Sequence, residues 1–325
     1  MAAAAQVSQA TASRALSGSE TVNPVLARRV ITASEKLGYT ANVVARALRT
    51  QQTGTIGVVV PSISNPFFIG AVETLEGVLA RSQRSLILCD ARDSAAVEAD
   101  RISLLLARMV DGLVVIPVSQ AGSRRALEAA AKYVPVVQFD RFVPSAGTDF
   151  VGADNAAGIR QMVEHVRALG ARTVAYIGAE PTSSSAAERL DAFRALVPQD
   201  ASNPIRLEYL DTFSMDWGRE AAERLLARNS LPDAVICGAD LIAVGLLAAL
   251  REAHIQVPRQ VMVVSYDDSP MARITSPMLT SVRQPVETMA EEAIRLLDDR
   301  RPVGPRRPRK SVFAPTLVAR QSSKV

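Results

Sequence analysis

Two cysteines, two histidines and one tryptophan are all that 325 residues carry. Two thiols cannot staple a chain this long, so a disulfide-framed scaffold is excluded and a reducing compartment is expected. Cys89 and Cys237 end apolar runs and read as small core residues. His165 and His254 fall inside helical patterns and read as surface residues. They leave no ligand set for a metal and no base for a nucleophile, so neither a metal nor a cofactor is expected. G-x-S-x-G, H-E-x-x-H, the P-loop and a G-x-G-x-x-G after a strand are all missing. Nothing assembles a catalytic constellation, and the sequence points to binding rather than to an enzyme. Long apolar runs are missing too. The longest, 56–61 and 241–250, fall well short of the ~18–20 residues a membrane helix needs, so no membrane partner is expected. The first residues are alanine-rich but turn polar at once, which reads as no secretion signal and places the protein in the cytoplasm, with the nucleoid.

The charge is unevenly placed. The net formal charge is +4, and residues 1–53 carry six basic and two acidic side chains. The whole excess therefore lies there, while 54–325 is balanced. A compact basic module on a neutral body is the electrostatic footprint of a nucleic-acid reader.

Within that module Ser8 can cap a short helix, Gln9–Leu16. A second helix opens on Asn23-Pro24 and stops at Gly38, with Leu26, Val30, Ala33 and Leu37 on one apolar face. Two such helices cannot bury a core alone, so a third is expected before Ser8, where only Met1–Gln6 remains. That helix reads as cut short. Asn42–Arg49 is a short helical pattern, and Thr50–Gly54 is a polar joint.

In the body, apolar runs at 56–61, 85–89, 112–116, 134–139, 173–178, 234–238 and 261–266 read as buried parallel strands. Helical patterns alternate with them, among them 67–83, 96–108, 124–132, 156–169, 187–196, 215–227 and 239–254. The expected fold is α/β: two doubly wound parallel-sheet lobes, dividing near Gly152–Asn155, behind a small all-α head. The boundaries are 1–41 for the head, 42–53 for a hinge helix and linker, and 54–325 for the core. One lobe takes about 54–152 and 285–312, the other about 153–284 and 313–325. Ligands in such folds bind outside the carboxyl ends of the strands. Asn65, Phe67, Phe68, Asp140, Arg141, Arg189, Phe213, Asp267 and Gln284 gather around those ends. Aromatic rings to cover a C–H face, with carboxylate, guanidinium and amide groups to pair vicinal hydroxyls, suit a sugar.

The run Val7–Gly18, with Asn23-Pro24 and Leu37-Gly38-Tyr39, resembles the headpiece of the lac repressor/galactose repressor family of bacterial transcription factors. The body resembles that family's effector-binding core, which shares the fold of periplasmic sugar-binding proteins. It does so through Asn65-Pro66-Phe67-Phe68, Asp140-Arg141, Ala187-Glu188-Arg189, Tyr266-Asp267-Asp268 and Pro315-Thr316-Leu317. The resemblance implies a homodimeric repressor of double-stranded operator DNA, controlled by a sugar or sugar derivative. Carried onto this chain it gives Gln9 and Ala10 to base edges, Arg14 to bases or backbone, and Ser8, Thr11 and Ser13 to phosphates. Asn23 opens the following helix. In the hinge, Leu48 would wedge into the minor groove, with Ala45 allowing close approach and Arg49 beside it. It also implies the nine strand-end residues as the effector pocket, in a pattern nearest the pentose and hexose binders. Without a leucine heptad after Pro315, a dimer without a tetramer zipper is expected.

The chain departs from the family at four places. The family's first helix begins earlier, its turn glycine is Gln6 here, its Asn-Asp is Ala239-Asp240, and a usual glycine is Ser265. The first two imply weak or absent operator binding by this chain, and the third implies weak binding of a standard sugar or a different ligand. The alternatives are a transport-type sugar-binding protein, a sugar-converting α/β enzyme, and a regulator-like protein with impaired DNA binding.

Overall fold

A computed structural model describes residues 2–16, 21–37, 52–198, 207–228, 230–299 and 308–324. The chain divides into two compact units, 1–53 and 54–325. The expected hinge helix lies outside the described residues.

In the first unit, α1 spans Gln9–Leu16 and α2 spans Pro24–Lys36. Ser8 Oγ accepts the Thr11 N–H at 3.0 Å and Asn23 Oδ1 accepts the Val25 N–H at 2.9 Å, so both expected caps form. Ala5, Ala12, Ala15, Val30 and Ala33 make the buried core. The expected helix before Ser8 does not form. Residues 2–6 are turns, closed by Gln6 N–H to Ala3 at 3.1 Å and Val7 N–H to Ala2 at 3.1 Å. Gln6 takes φ +52°, the left-handed conformation a glycine would adopt without strain.

The second unit holds two six-stranded sheets. Five strands of the first follow in sequence: β1 (Thr55–Val60), β2 (Ser85–Asp90), β3 (Gly112–Val115), β4 (Val136–Phe139) and β5 (Asp149–Ala153). Between them run α3 (Pro66–Ala80), α4 (Ala95–Ala107) and α5 (Arg124–Ala130). The chain then crosses at Asp154 into the second sheet. That lobe contains α6 (Asn155–Ala168), β6 (Val174–Ala179), α7 (Ser184–Leu196), β7 (Leu207–Asp211) and α8 (Met215–Leu226). It continues with β8 (Ala234–Cys237), α9 (Asp240–Glu252), β9 (Met262–Asp267) and β10 (Thr280–Arg283). At Gln284-Pro285 the chain returns as α10 (Val286–Asp298), which packs with α3 on the first sheet. β11 (Lys310–Phe313) joins that sheet, and β12 (Thr316–Val318) joins the second.

The orders are β11-β5-β4-β3-β1-β2 and β12-β10-β9-β8-β6-β7. Every pairing is parallel except β10 with β12. The two doubly wound parallel lobes are therefore those expected. The inner strands β3, β4, β6 and β8 are buried throughout, as a sheet covered by helices on both faces requires. Ser85–Cys89 corrects the expectation of a buried strand. As β2 it lies at the sheet edge, with Cys89 buried but Ile87 and Leu88 each more than a third exposed. His254 is another correction: α9 ends at Glu252, and His254 lies beyond it at φ +58°. His165 is half-buried rather than free on the surface, its Nε2 hydrogen-bonded to Ser323 Oγ at 2.8 Å.

Candidate DNA-reading head and effector cleft

The head presents one face of α1. Ala12 and Ala15 are buried, while Gln9, Ala10 and Arg14 are exposed on the other side of the helix. Arg14 Nε donates to Ala10 O at 3.3 Å, which lays the guanidinium along the helix. Ser8 and Thr11 hydroxyls sit 2.8 Å apart at the helix N-terminus, where free N–H groups and the helix dipole favour an anion. Asn23 is exposed, with its Oδ1 occupied by the α2 cap. Ser13 falls within α1, but its side chain, like Ala45, Leu48 and Arg49, lies outside what the structure describes.

In the body, the expected residues meet where the strands of the two sheets end. Asp140 follows β4 at φ +61° and is buried next to Arg141. The Arg141 guanidinium lies 5.2 Å from the Phe68 ring centroid in its own lobe and 5.6 Å from that of Phe213, which precedes α8 in the other. Its NH1 donates to the Pro117 and Val118 carbonyls, each at 3.3 Å, while Nε has no partner. Burial pulls Arg141 below the usual guanidinium value, against the pull of Asp140 and Asp93.

Arg189 anchors the facing lobe from the middle of α7. Nε donates to Asn155 Oδ1 and NH1 to Gly238 O, both at 2.8 Å, and the guanidinium stacks 3.7 Å above the Tyr266 ring. Asp267, at the end of β9, stands 3.8 Å from Arg189 NH1 and accepts the Gln284 amide at 3.0 Å. Burial acts to lower the Arg189 guanidinium, but Asp267, Tyr266 and Asp140 around it raise it overall. Burial pushes the Asp267 carboxyl up to about 8, with Arg189 opposing. Burial raises Asp140 as well, with Arg189, Arg141 and the Gln284 amide pulling it back. Gln284 Oε1 is buried without a partner. The site therefore holds orphaned donors and acceptors beside two carboxyls and two guanidiniums, a chemistry that hydroxyl groups can satisfy.

The lobes touch where Gln120 N–H donates to Thr182 O at 3.0 Å and Phe142 N–H to Ser184 Oγ at 2.7 Å. Asn65 and Phe67 stand apart from the charged group. Asn65 Oδ1 caps α3 through the Phe67 N–H at 3.0 Å, and Phe67 packs in the first lobe's core, edge-on to Phe68 at 5.6 Å. Asn155, Tyr266, Ser184 and Asp93 join the site although the strand-end pattern does not single them out. Asn155 is also tied to Glu188, through a 2.8 Å bond from its Nδ2 to Oε2. Ala239 is the N-cap of α9 and makes no capping bond. Beside it Asp240 is buried, accepting from Ser281 Oγ and Ser269 N–H, both at 2.7 Å, and burial raises it to about 6. Ser265 Oγ is buried and unpartnered.

A two-helix reading head and a two-lobed binding core with charged groups at its strand ends define a DNA-binding regulator. The comparisons agree. Residues 1–42 match the model of bacterial regulatory proteins of the lacI family, and 163–323 match the periplasmic binding protein-like domain. The HTH-type transcriptional regulator CelR of Thermobifida fusca is 33% identical over 332 residues, covering 99% of this chain and 96% of that one. A solved complex of transcriptional regulator CelR with cellobiose is 30% identical and superposes with a TM-score of 0.73, covering 99% and 98%. A lac repressor dimer bound to operator shares the fold, with a TM-score of 0.85 at 24% identity over 100% and 98%. The chain belongs to the lacI family of bacterial regulatory proteins and is a DNA-binding transcriptional regulator.

Proposed function

We propose that the protein is a repressor whose grip on operator DNA is set by a small sugar or sugar derivative held between the two lobes. It acts as a binding protein rather than an enzyme, in the cytoplasm, as a homodimer that presents two heads at half-site spacing. The carrying observation is the convergence of Asp140, Arg141, Arg189, Asp267 and Gln284 at the strand ends, with the Arg141 guanidinium between the Phe68 and Phe213 rings. Aromatic faces take the C–H side of a sugar ring, and the charged and amide groups take its hydroxyls. Phe68 lines the first lobe's side of the cleft, supported by the Asn65 cap and by Phe67 packed behind it at the start of α3.

In the head, Gln9 and Ala10 face base edges. Gln9 suits adenine and Ala10 a thymine methyl, while Ser8, Thr11 and Ser13 hold phosphates, Arg14 contacts bases or backbone, and Asn23 sets the second helix. Ala45, Leu48 and Arg49 serve the minor groove. The effector works only by preferring one arrangement of the lobes over the other, because equal affinity for both would shift nothing. A calorimetric screen of pentoses, hexoses and cellobiose should find a ligand whose binding is lost in Asp140→Ala and Arg189→Ala. Variants that bind as the parent does would refute the assignment of the cleft.

A further inference from the structure

At the other end of β9 and β10 from the cleft, about 20 Å away by the rise of a six-residue strand, the second lobe carries a groove of about 770 Å³. Arg251 at the end of α9, His254 and Arg259 in the loop that follows, and Lys324 near the end of the chain stand around it. All four are exposed, and among the described residues no carboxylate lines the groove. Among the described residues Arg251, Arg259 and Lys324 form no ion pair. Glu252, the carboxylate adjacent to Arg251 in sequence, is bonded to Arg219 and feels Arg251 only through space. Leu247, Ile255 and Val257 supply an apolar floor, buried or half-buried.

On a body whose charges balance as a whole, such a cluster is a local excess that a bound anion relieves. Two arginine forks match the paired oxygens of a phosphate, and the floor offers burial to a carbon body attached to it. The volume is that of a metabolite site. A two-fold contact centred on the groove would set the same cations against one another, which disfavours a second copy as its occupant. We propose that this groove is a second small-molecule site, for a phosphomonoester with a carbon body, separate from the cleft and independent of what the cleft binds.

Calorimetry of the full chain at constant ionic strength, with phenyl phosphate and inorganic phosphate as probes, tests this. Phenyl phosphate should bind saturably and more tightly than inorganic phosphate. Its affinity should fall tenfold or more in the Arg251→Ala/Arg259→Ala double variant, which alters only exposed side chains. Asp140→Asn, in the cleft, should leave it unchanged. Absence of saturable binding, equal binding by the double variant, or loss in Asp140→Asn overturns the proposal. So does a sedimentation mass that drops in the double variant while phenyl phosphate fails to bind, because the groove would then be a contact between copies.

Discussion

The head and the body are held together by different amounts of the same material. Among the described residues the buried core of the head is Ala5, Ala12, Ala15, Val30 and Ala33, with no buried side chain larger than valine. The body buries Tyr176, Tyr266, Phe139 and Phe193 completely, among dozens of aliphatic residues. Buried apolar area scales with side-chain size, so each residue of the body contributes more than its counterpart in the head. A unit of 53 residues with an alanine core is marginal, whereas one of 272 residues with two filled lobes is not. The reading head can therefore order and disorder while the effector core stays folded, which suits a regulator that must release DNA without unfolding.

The largest test removes material from the richer region. Phe193 on α7 is fully buried and stacks on Tyr176 at 5.1 Å. Phe193→Ala should cost the body about 3–5 kcal/mol, read as a lower urea midpoint. If it costs the body less than ~1 kcal/mol, that core is not packed as described.

Acid and base should also separate the two regions. Asp267 is raised to about 8 in the folded body and Asp240 to about 6, against about 3.9 for an unfolded aspartate. The fold therefore binds protons that the unfolded chain has already released at neutral pH. That contribution is full below about pH 4 and is lost as the pH rises through 6 and 8. The unliganded body should lose stability between pH 5 and 8, by up to about 1.4 kcal/mol per pH unit for each group titrating. Asp267→Asn should flatten the slope. The described part of the head has no buried carboxylate and should show no such trend. An unchanged slope in Asp267→Asn would mean that the proton sits elsewhere.

A smaller loss should suffice in the head. Val30→Ala removes two methyl groups from its most buried position, about 2 kcal/mol with the cavity included. In the head that should shift the whole transition, whereas in the body it would be a modest change. Limited proteolysis, with cleavage confined to residues 1–53, reads the difference.

The alternation of strands and helices was legible because inner parallel strands are buried on both faces and show as continuous apolar runs. Edge strands carry no such signature. β2 read as an inner strand because Leu86–Cys89 is apolar, and only the pairing order places it outermost. β7 and β12 are half-exposed and left no run to find, and the inner strands β5 and β10 were missed as well, because Asp149 and Gly152 in one and Thr280, Ser281 and Arg283 in the other break the apolar run. In the cleft, Asp140, Arg141 and Asp267 follow strands and were visible for that reason. Asn155 and Tyr266 were not, because their part arises only when Arg189 folds back between them. Asn155 looks like one more polar residue at a helix start, and Tyr266 like core. The caps of α1 and α2 were fully legible, since capping is decided within four residues.

The finest test applies one chemical change to both regions. Gln6 in the head and Gln83 after α3 in the body sit at φ +52° and +55°, in the left-handed region that costs a side chain about 1–2 kcal/mol. Glycine at either position removes that cost but gives up about 0.5–1 kcal/mol of unfolded-state restriction, leaving a gain of about 0.5–1 kcal/mol. Gln6 also loses its 2.9 Å bond to Arg29, an exposed contact worth little. The free energies should therefore be alike, but the melting temperatures should not. A unit's Tm shift is the free-energy change divided by its unfolding entropy, which grows with its length. A gain of ~1 kcal/mol should raise the head by about 8 °C and the body by about 2 °C. Equal shifts from Gln6→Gly and Gln83→Gly, read by calorimetry, would show that head and body melt as one unit and would remove the basis of the comparison.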